Sequence, residues 1–187
     1  MDRMSPYRPA AGLTLVELLI ALLIAAIALA VGVPSLGRQL QDNRLETESR
    51  RLLSALTLAR SESVLRGVPV SVCPLGVDGE GAPACGPAYD NGWVVFANTD
   101  RDRDVDPADS VLRVFRAPPA GYRVTNRSGL VRAGELINYL PDGTAHRNLT
   151  LQFCPPEGGV VAPVSIVLNI VGRARLQRNW GACPALS

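Results

Sequence analysis

The 187-residue sequence contains no lysine and a single histidine, and aromatic residues make up only 5% of it. General acid–base catalysis and zinc binding both rely heavily on histidine, so the chain has little material for either. No frame of the G-x-S-x-G type accompanies the lone His146, which follows a Pro-Asp-Gly turn. We therefore expect no catalytic residue, no metal site and no cofactor.

All nineteen basic residues are arginine, and the formal net charge is only +2. Arginine suits bidentate phosphate contacts, although a GC-rich genome produces the same bias and is the simpler explanation. The charges are unevenly distributed: residues 78–109 hold eight acids and two arginines, whereas residues 111–187 hold nine arginines and three acids. This asymmetry suggests that the second segment forms a surface that binds polyanions.

One long stretch lacks charge altogether, from Leu18 to Val33. Its length and composition predict a membrane-embedded helix. Glu17 lies just before this stretch, although a charged side chain at the centre of a bilayer costs roughly 2.5–3.5 kcal/mol on insertion scales. An acidic residue at this position therefore needs a reason, and its distance from Gly12 supplies one.

The segment Gly12-Leu13-Thr14-Leu15-Val16-Glu17, followed by the apolar stretch, resembles the class III signal of type IV pilins and type II secretion pseudopilins. Leu13 replaces the usual phenylalanine. The resemblance implies that a prepilin peptidase cuts after Gly12 and methylates the new amine of Leu13. It also implies that Glu17 neutralises the N-terminal amine of a neighbouring pilin during filament assembly. An ordinary secretory signal peptide is the alternative, but no A-x-A cleavage site follows.

The expected organisation has four parts. A leader occupies residues 1–12, the transmembrane half of a long helix residues 13–35, its amphipathic half residues 36–67, and a β-rich head residues 68–187. Arg3 and Arg8 precede the apolar stretch and favour a cytoplasmic N-terminus. We therefore expect a single-pass inner-membrane protein with a periplasmic head that reaches the extracellular pilus after assembly.

Helical periodicity predicts one helix from Thr14 to Arg66, with a kink near Pro34, where a backbone donor is lost. Apolar and small side chains recur along one stripe of its second half, which should pack on a sheet: Leu45, Leu52, Leu56, Ala59 and Ser63. Alternating segments then predict strands at 68–73, 93–97, 111–116, 122–126, 136–140, 149–154 and 164–171. The strands at 111–116 and 122–126 are expected to form a hairpin.

Four cysteines follow the apolar helix: Cys73, Cys85, Cys154 and Cys183. In an oxidising compartment they are expected to form disulfides, for which three connectivities exist. We favour the pairing of neighbours, Cys73 with Cys85 and Cys154 with Cys183. A metal site is disfavoured because the C-x-x-C spacing is absent.

Further features of the head resemble the FimT/GspH branch of minor pilins and pseudopilins. They include Trp93 to Phe96 beside an Asp-rich turn, Cys73 with Cys85, a Pro-Asp-Gly turn after an aromatic strand, and a late Gly-Arg-x-Arg. The resemblance implies an α+β type IV pilin fold, in which a long N-terminal helix packs on a mostly antiparallel sheet.

The late motif is Gly172-Arg173-Ala174-Arg175, with Arg178 close behind. On an extended chain Arg173 and Arg175 point to one side, and Arg178 can join them only if the chain turns after Leu176. Exposed arginines on an edge strand can also serve merely to prevent strand pairing. The resemblance implies a binding site for double-stranded DNA in natural transformation. Arg123, Arg127 and Arg132 could widen that site, and a structural pseudopilin of type II secretion remains the alternative function.

The acidic loop contains Asp100-x-Asp102-x-Asp104, which is similar to the front of a calcium-binding loop. Val105 stands where an EF-hand has glycine, and no glutamate occupies the twelfth position. We therefore expect a solvated loop rather than a calcium site.

Overall fold

The structure is a computed structural model that describes residues 14–157, 159 and 161–183. It begins with helix α1, Leu15–Arg66, which is 52 residues long and continues through Pro34. Gly67, with a φ of 66°, ends the helix and donates its N–H to the carbonyl of Ser63. The kink at Pro34 stays a prediction. The chain divides into two compact units between Gln39 and Leu40.

The unit before Leu40 exposes the apolar side chains of α1. An 18-residue window of the helix has a mean hydropathy of 2.8, and none of that window is buried. Leu18, Leu22 and Ile27, for example, are each more than half exposed. By length and composition, this part of α1 can cross a membrane.

Nine strands follow among the described residues of the second unit. They are β1 (Val70–Val77), β2 (Pro83–Cys85), β3 (Gly92–Ala97), β4 (Ser110–Arg116), β5 (Arg123–Asn126), β6 (Ile137–Tyr139), β7 (Leu149–Cys154), β8 (Val164–Leu168) and β9 (Ala174–Arg178). Sheet 1 has the order β2-β1-β3-β4, with β6 also paired to β1, and sheet 2 has the order β5-β7-β8-β9. All of these pairs are antiparallel.

The predicted hairpin at 111–126 is wrong. Strand β4 pairs with β3, and β5 pairs with β7, so the two segments belong to different sheets. The connection between them includes the buried Pro118 and carries the chain from one sheet to the other. Residue alternation identifies a strand but not its partner, because every pleated segment has the same period.

One core joins the helix to both sheets. The predicted stripe of α1 is fully buried: Leu45, Leu52, Leu56, Ala59 and Ser63. Its apolar members pack with Trp93 and Val95 of sheet 1 and with Leu151 and Phe153 of sheet 2. Burial of each large apolar side chain contributes about 1.5–3 kcal/mol. The helix therefore holds the two sheets together along one side of the head.

Two disulfides lie outside this core. Cys73 is bonded to Cys85, with Cα atoms 5.6 Å apart, in a smaller cluster with Phe96 on the other side of sheet 1. Cys154 is bonded to Cys183, with Cα atoms 5.7 Å apart, and joins β7 to the tail of the chain. This is the connectivity that the sequence favoured.

Candidate nucleic-acid interface

Strand β9 forms one edge of sheet 2 and carries the late arginines. Its partner is β8, and no other strand pairs with it in the part of the chain that the structure describes. Ala174 and Leu176 are partly buried against the core, so Arg175 and Gln177 project from the opposite side. We call this side, which faces away from α1, the outer face of sheet 2.

A tight turn between β8 and β9 sets the direction of Arg173. The N–H of Gly172 donates to the carbonyl of Asn169 at 2.9 Å, and the N–H of Arg173 donates to Asn169 Oδ1 at 2.8 Å. Gly172 has a φ of 79°, which favours glycine. The Asn-x-x-Gly spacing thus fixes the backbone directly before the arginines.

Arg60 of α1 fastens this turn to a second one. Its Nε donates to the carbonyl of Gly143 at 2.9 Å, and its Nη2 donates to the carbonyl of Val171 at 3.1 Å. The sequence gives no sign of this role, because Arg60 reads as a solvent-facing residue of an amphipathic helix. The contact makes Arg60 a positioning residue for the motif that begins at Gly172.

Arg173 and Arg175 are exposed, and neither forms an ion pair with any described residue. Together they place two uncompensated positive charges on one edge of the head. A guanidinium in this state is free to make bidentate contacts with phosphate oxygens.

Arg178 lies on the side of β9 that faces α1, opposite to Arg175. Strand β9 continues to Arg178 without a turn, so this side chain projects toward α1, where its Nη1 donates to Asp42 Oδ1 at 2.7 Å. Its Nη2 also bonds to a carboxylate oxygen of Glu46. The hydrogen bonds that Arg178 donates to these two carboxylates raise the pKa of its guanidinium above the usual range. The structure therefore separates Arg178 from Arg173 and Arg175.

Of the three arginines that could widen the patch, the structure brings one to the tail of the chain. The guanidinium of Arg127 lies 4.7 Å from the ring centroid of Trp180. Arg132 contacts Asp90 at 3.5 Å, and Arg123 lines a cleft with both of those residues. An acidic neighbour thus reduces the local positive charge at Arg132.

The acidic loop uses its carboxylates to hold its own backbone. Asp100 Oδ1 accepts the N–H of Asp102, Asp102 Oδ1 accepts that of Asp104, and Asp104 Oδ1 accepts that of Cys85 at 2.8 Å. Carboxylate oxygens of Asp100, Asp102 and Asp106 lie within 4.8 Å of one another. The backbone contacts show that Asp100, Asp102 and Asp104 help to form the loop.

The first described residues show how Glu17 is held. Both the N–H and the hydroxyl of Thr14 donate to Glu17 Oε2 at 2.9 Å, which is a capping arrangement at the start of α1. Gly12 and Leu13, the predicted processing residues, lie outside the described residues.

Comparison with known proteins identifies the family. The family of the type II transport protein GspH matches residues 48–172, and the prokaryotic N-terminal methylation motif matches residues 7–33. The first match covers more than half of the chain and ends at Gly172, immediately before Arg173. No curated protein sequence matches the chain.

Two crystal structures of a type IV minor pilin show the same fold. The type IV minor pilin FimU of Pseudomonas aeruginosa strain PAO1 gives a TM-score of 0.55 at 18% identity, over 76% of this chain and 97% of that one. A second crystal form of FimU gives 0.54 at 16% identity, over 74% and 99%. The minor pseudopilin EpsH of the Vibrio cholerae type 2 secretion system gives 0.47 at 14% identity, over 72% and 97%.

The long N-terminal helix packed on antiparallel sheets is the α+β fold of type IV pilins, as the FimU structures show. The apolar first part of that helix and the methylation motif fit a membrane-anchored pilin. Membership of this family implies assembly with other pilins in a filament. The chain belongs to the GspH family and is a minor pilin or pseudopilin of the FimT/GspH type.

Proposed function

We propose that this chain is a minor type IV pilin that binds extracellular double-stranded DNA for uptake in natural transformation. The observation that supports this proposal is the state of Arg173 and Arg175, which are exposed, lie two residues apart at the start of the edge strand β9 and lack an ion pair within the described residues. The backbone at Gly172 and the side chain of Arg60 fix their position.

The geometry suits a phosphate backbone better than base edges. Residues two apart on a strand are separated by about 6.8 Å, so the two side chains can contact separate phosphates. Contacts of this kind hold a duplex in place but carry no sequence information. Binding should therefore be sensitive to salt and indifferent to sequence.

The test compares two double variants of the full-length chain in a nonionic detergent. Arg173→Gln with Arg175→Gln removes the proposed contacts, while Arg113→Gln with Arg116→Gln removes the same charge from β4, at the edge of sheet 1. We expect only the first pair to weaken duplex binding. The slope of log Kd against log salt concentration should fall by about 0.9 for each lost contact.

Two outcomes would contradict the proposal. Equal loss of affinity in both double variants would indicate diffuse electrostatics without a discrete site. Unchanged affinity after loss of Arg173 and Arg175 would remove the motif from DNA binding. Arg178 is not part of the proposed site, because it is paired with Asp42 and Glu46.

A structural role in type II secretion is the second candidate. The matching family carries the name of a type II transport protein, and its match ends before Arg173. As such a pseudopilin, the chain would take part in the tip or priming complex without DNA. Deletion of the gene distinguishes the candidates: loss of transformation with normal secretion supports DNA uptake, and the reverse supports the pseudopilin.

We infer that maturation follows the pilin route. The methylation-motif match at residues 7–33 supports cleavage after Gly12 by a prepilin peptidase and methylation of Leu13. Arg3 and Arg8 favour a cytoplasmic N-terminus, an inner-membrane span at 13–35 and a periplasmic head that later joins an extracellular pilus. Mass spectrometry of the mature N-terminus tests this: a chain that still begins before Leu13 would contradict it.

A further inference from the structure

Trp180 is an exposed aromatic residue beside Arg127, at the face of sheet 2 from which Arg175 projects. It keeps 41% of its surface accessible, whereas Trp93, the other tryptophan of the chain, is fully buried. The Arg127 guanidinium lies 4.7 Å from the centroid of its ring, and Arg127 Nε donates to the carbonyl of Trp180 at 3.4 Å. One part of the ring is thus supported by a cation while another part remains open to solvent.

The tail that carries Trp180 is fixed across the outer face of sheet 2. Gly181 lies directly over Gln152 of β7, since a Cβ on Gly181 would be 1.6 Å from Gln152 Oε1. Gln152 is completely buried there, although its neighbours Leu151 and Phe153 face the core on the other side. The Cys154–Cys183 bond then anchors the tail to β7.

The register of sheet 2 relates this ring to the arginines. Arg175 lies opposite Val167 of β8, which lies opposite Thr150 of β7. Arg127 follows Asn126, the last β5 residue in register with β7. From β9 to β5 there are three strand spacings, about 14 Å. A DNA strand that contacts Arg175 can therefore reach Trp180 within a few nucleotides.

An open tryptophan face beside a phosphate-binding edge is a place for a nucleobase to stack. The bases inside a duplex already stack on each other and are not available, but those of a single-stranded overhang are. We propose that Trp180, supported by Arg127, stacks an unpaired base, so that the site prefers duplexes with a single-stranded overhang to blunt ones. This inference rests on the proposed binding of DNA at Arg173 and Arg175.

The experiment measures the affinity of the full-length chain in nonionic detergent for three DNAs. They are a short blunt duplex, the same duplex with a thymidine overhang, and the same duplex with an abasic overhang of equal length. The two overhangs carry the same phosphates, so the difference between their affinities reports the contribution of the bases alone. We expect the thymidine overhang to bind at least about five-fold more tightly than the abasic one.

Three variants separate stacking from other roles of Trp180. Trp180→Leu keeps an apolar side chain over Arg127 and should abolish the difference between the two overhangs while leaving blunt-duplex affinity unchanged. Trp180→Phe should retain most of the difference. Arg173→Gln with Arg175→Gln should weaken the binding of all three DNAs. The thymidine overhang alone should quench the fluorescence of Trp180, and Trp180→Phe, which keeps only the buried Trp93, should lose that quenching.

The outcomes distinguish the two proposals. Equal affinity of the wild-type chain for both overhangs, with strong binding of the blunt duplex, would overturn the stacking role and leave the arginine site intact. If Trp180→Leu reduced the affinity for all three DNAs equally, the ring would only hold the tail in place. That result would also overturn the stacking role. Absence of binding to any of the DNAs would overturn both proposals.

Discussion

Gly172 approaches Gly143 so closely that a Cβ atom on Gly172 would lie 1.9 Å from the Gly143 carbonyl oxygen. Its φ of 79° adds a second obstacle to any side chain. We therefore expect Gly172→Ala to destabilise the head by about 1–3 kcal/mol, the usual range for strained backbone, and to weaken DNA binding as the turn shifts Arg173. Urea denaturation and duplex binding provide the two measurements.

The matched control for this substitution is Gly79→Ala. Gly79 has no positive φ, and a Cβ there would meet nothing within 4 Å. The control should leave both stability and binding nearly unchanged. Equal effects of the two substitutions would contradict the role assigned to the turn.

The two disulfides predict a specific peptide map. A non-reduced digest should contain Cys73 linked to Cys85 and Cys154 linked to Cys183, and any link between the two sets would refute the assignment. Replacement of Cys154 and Cys183 together by serine should lower the free energy of unfolding by about 2–4 kcal/mol. It should also release the tail that carries Trp180, which would be seen as faster quenching of tryptophan fluorescence by acrylamide.

Because of Asp109, we expect the head to lose stability as the pH rises. Burial raises the pKa of its carboxyl above the usual range, although a backbone N–H from Asp106 opposes this, and its Oδ1 has no hydrogen-bond partner in the described structure. The folded state then binds the proton more tightly than the unfolded state, so stability falls between the usual aspartate pKa and the raised one. Asp109→Asn should stabilise the head at neutral pH and flatten this dependence in urea titrations.

Asp142 provides the contrasting case for the same titration. Hydrogen bonds from the Thr144 side chain and backbone N–H lower the pKa of the Asp142 carboxyl. Its contribution is present above the usual aspartate pKa and is lost as the pH falls through the lowered one. Asp142→Asn should therefore act in the opposite direction. If Asp109→Asn and Asp142→Asn changed the stability in the same direction, the pKa shifts assigned to the two residues would be contradicted.

Replacement of Glu17 should impair filament assembly but not membrane insertion. We expect its carboxylate to neutralise the N-terminal amine of a neighbouring subunit in the filament. Glu17→Val should still insert normally, because an apolar side chain costs less in a bilayer. It should then be depleted from sheared filaments. Immunoblots of the membrane and filament fractions measure both, with Val16→Leu as the control. Wild-type levels of the Glu17 variant in filaments would contradict this role.

Much of the fold was accessible from the sequence because period and composition determine it. The stripe from Leu45 to Ser63 is buried as predicted, and helix α1 begins and ends within one residue of its expected bounds. The division into two sheets was missed, since nothing local in β4 or β5 encodes the partner strand. The prediction of the fold class as α+β is confirmed.

Only part of the candidate site could be predicted from the sequence. The alternation along β9 indicated that Arg178 would oppose Arg173 and Arg175, but not that Asp42 and Glu46 would bind it. Those partners lie more than a hundred residues away along the chain. Arg60 and Trp180 were missed for the same reason, because their roles depend on contacts with Gly143 and Arg127 that only the folded chain creates.

The tail that crosses sheet 2 also limits how other molecules can approach the head. With α1 packed on one side and the segment around Gly181 on the other, Thr125, Gln152 and Ser165 are buried although they point away from the core. The tail thus forms the outer layer of the head at that position. A molecule that approaches the head over Gln152 therefore meets the tail before it meets the sheet.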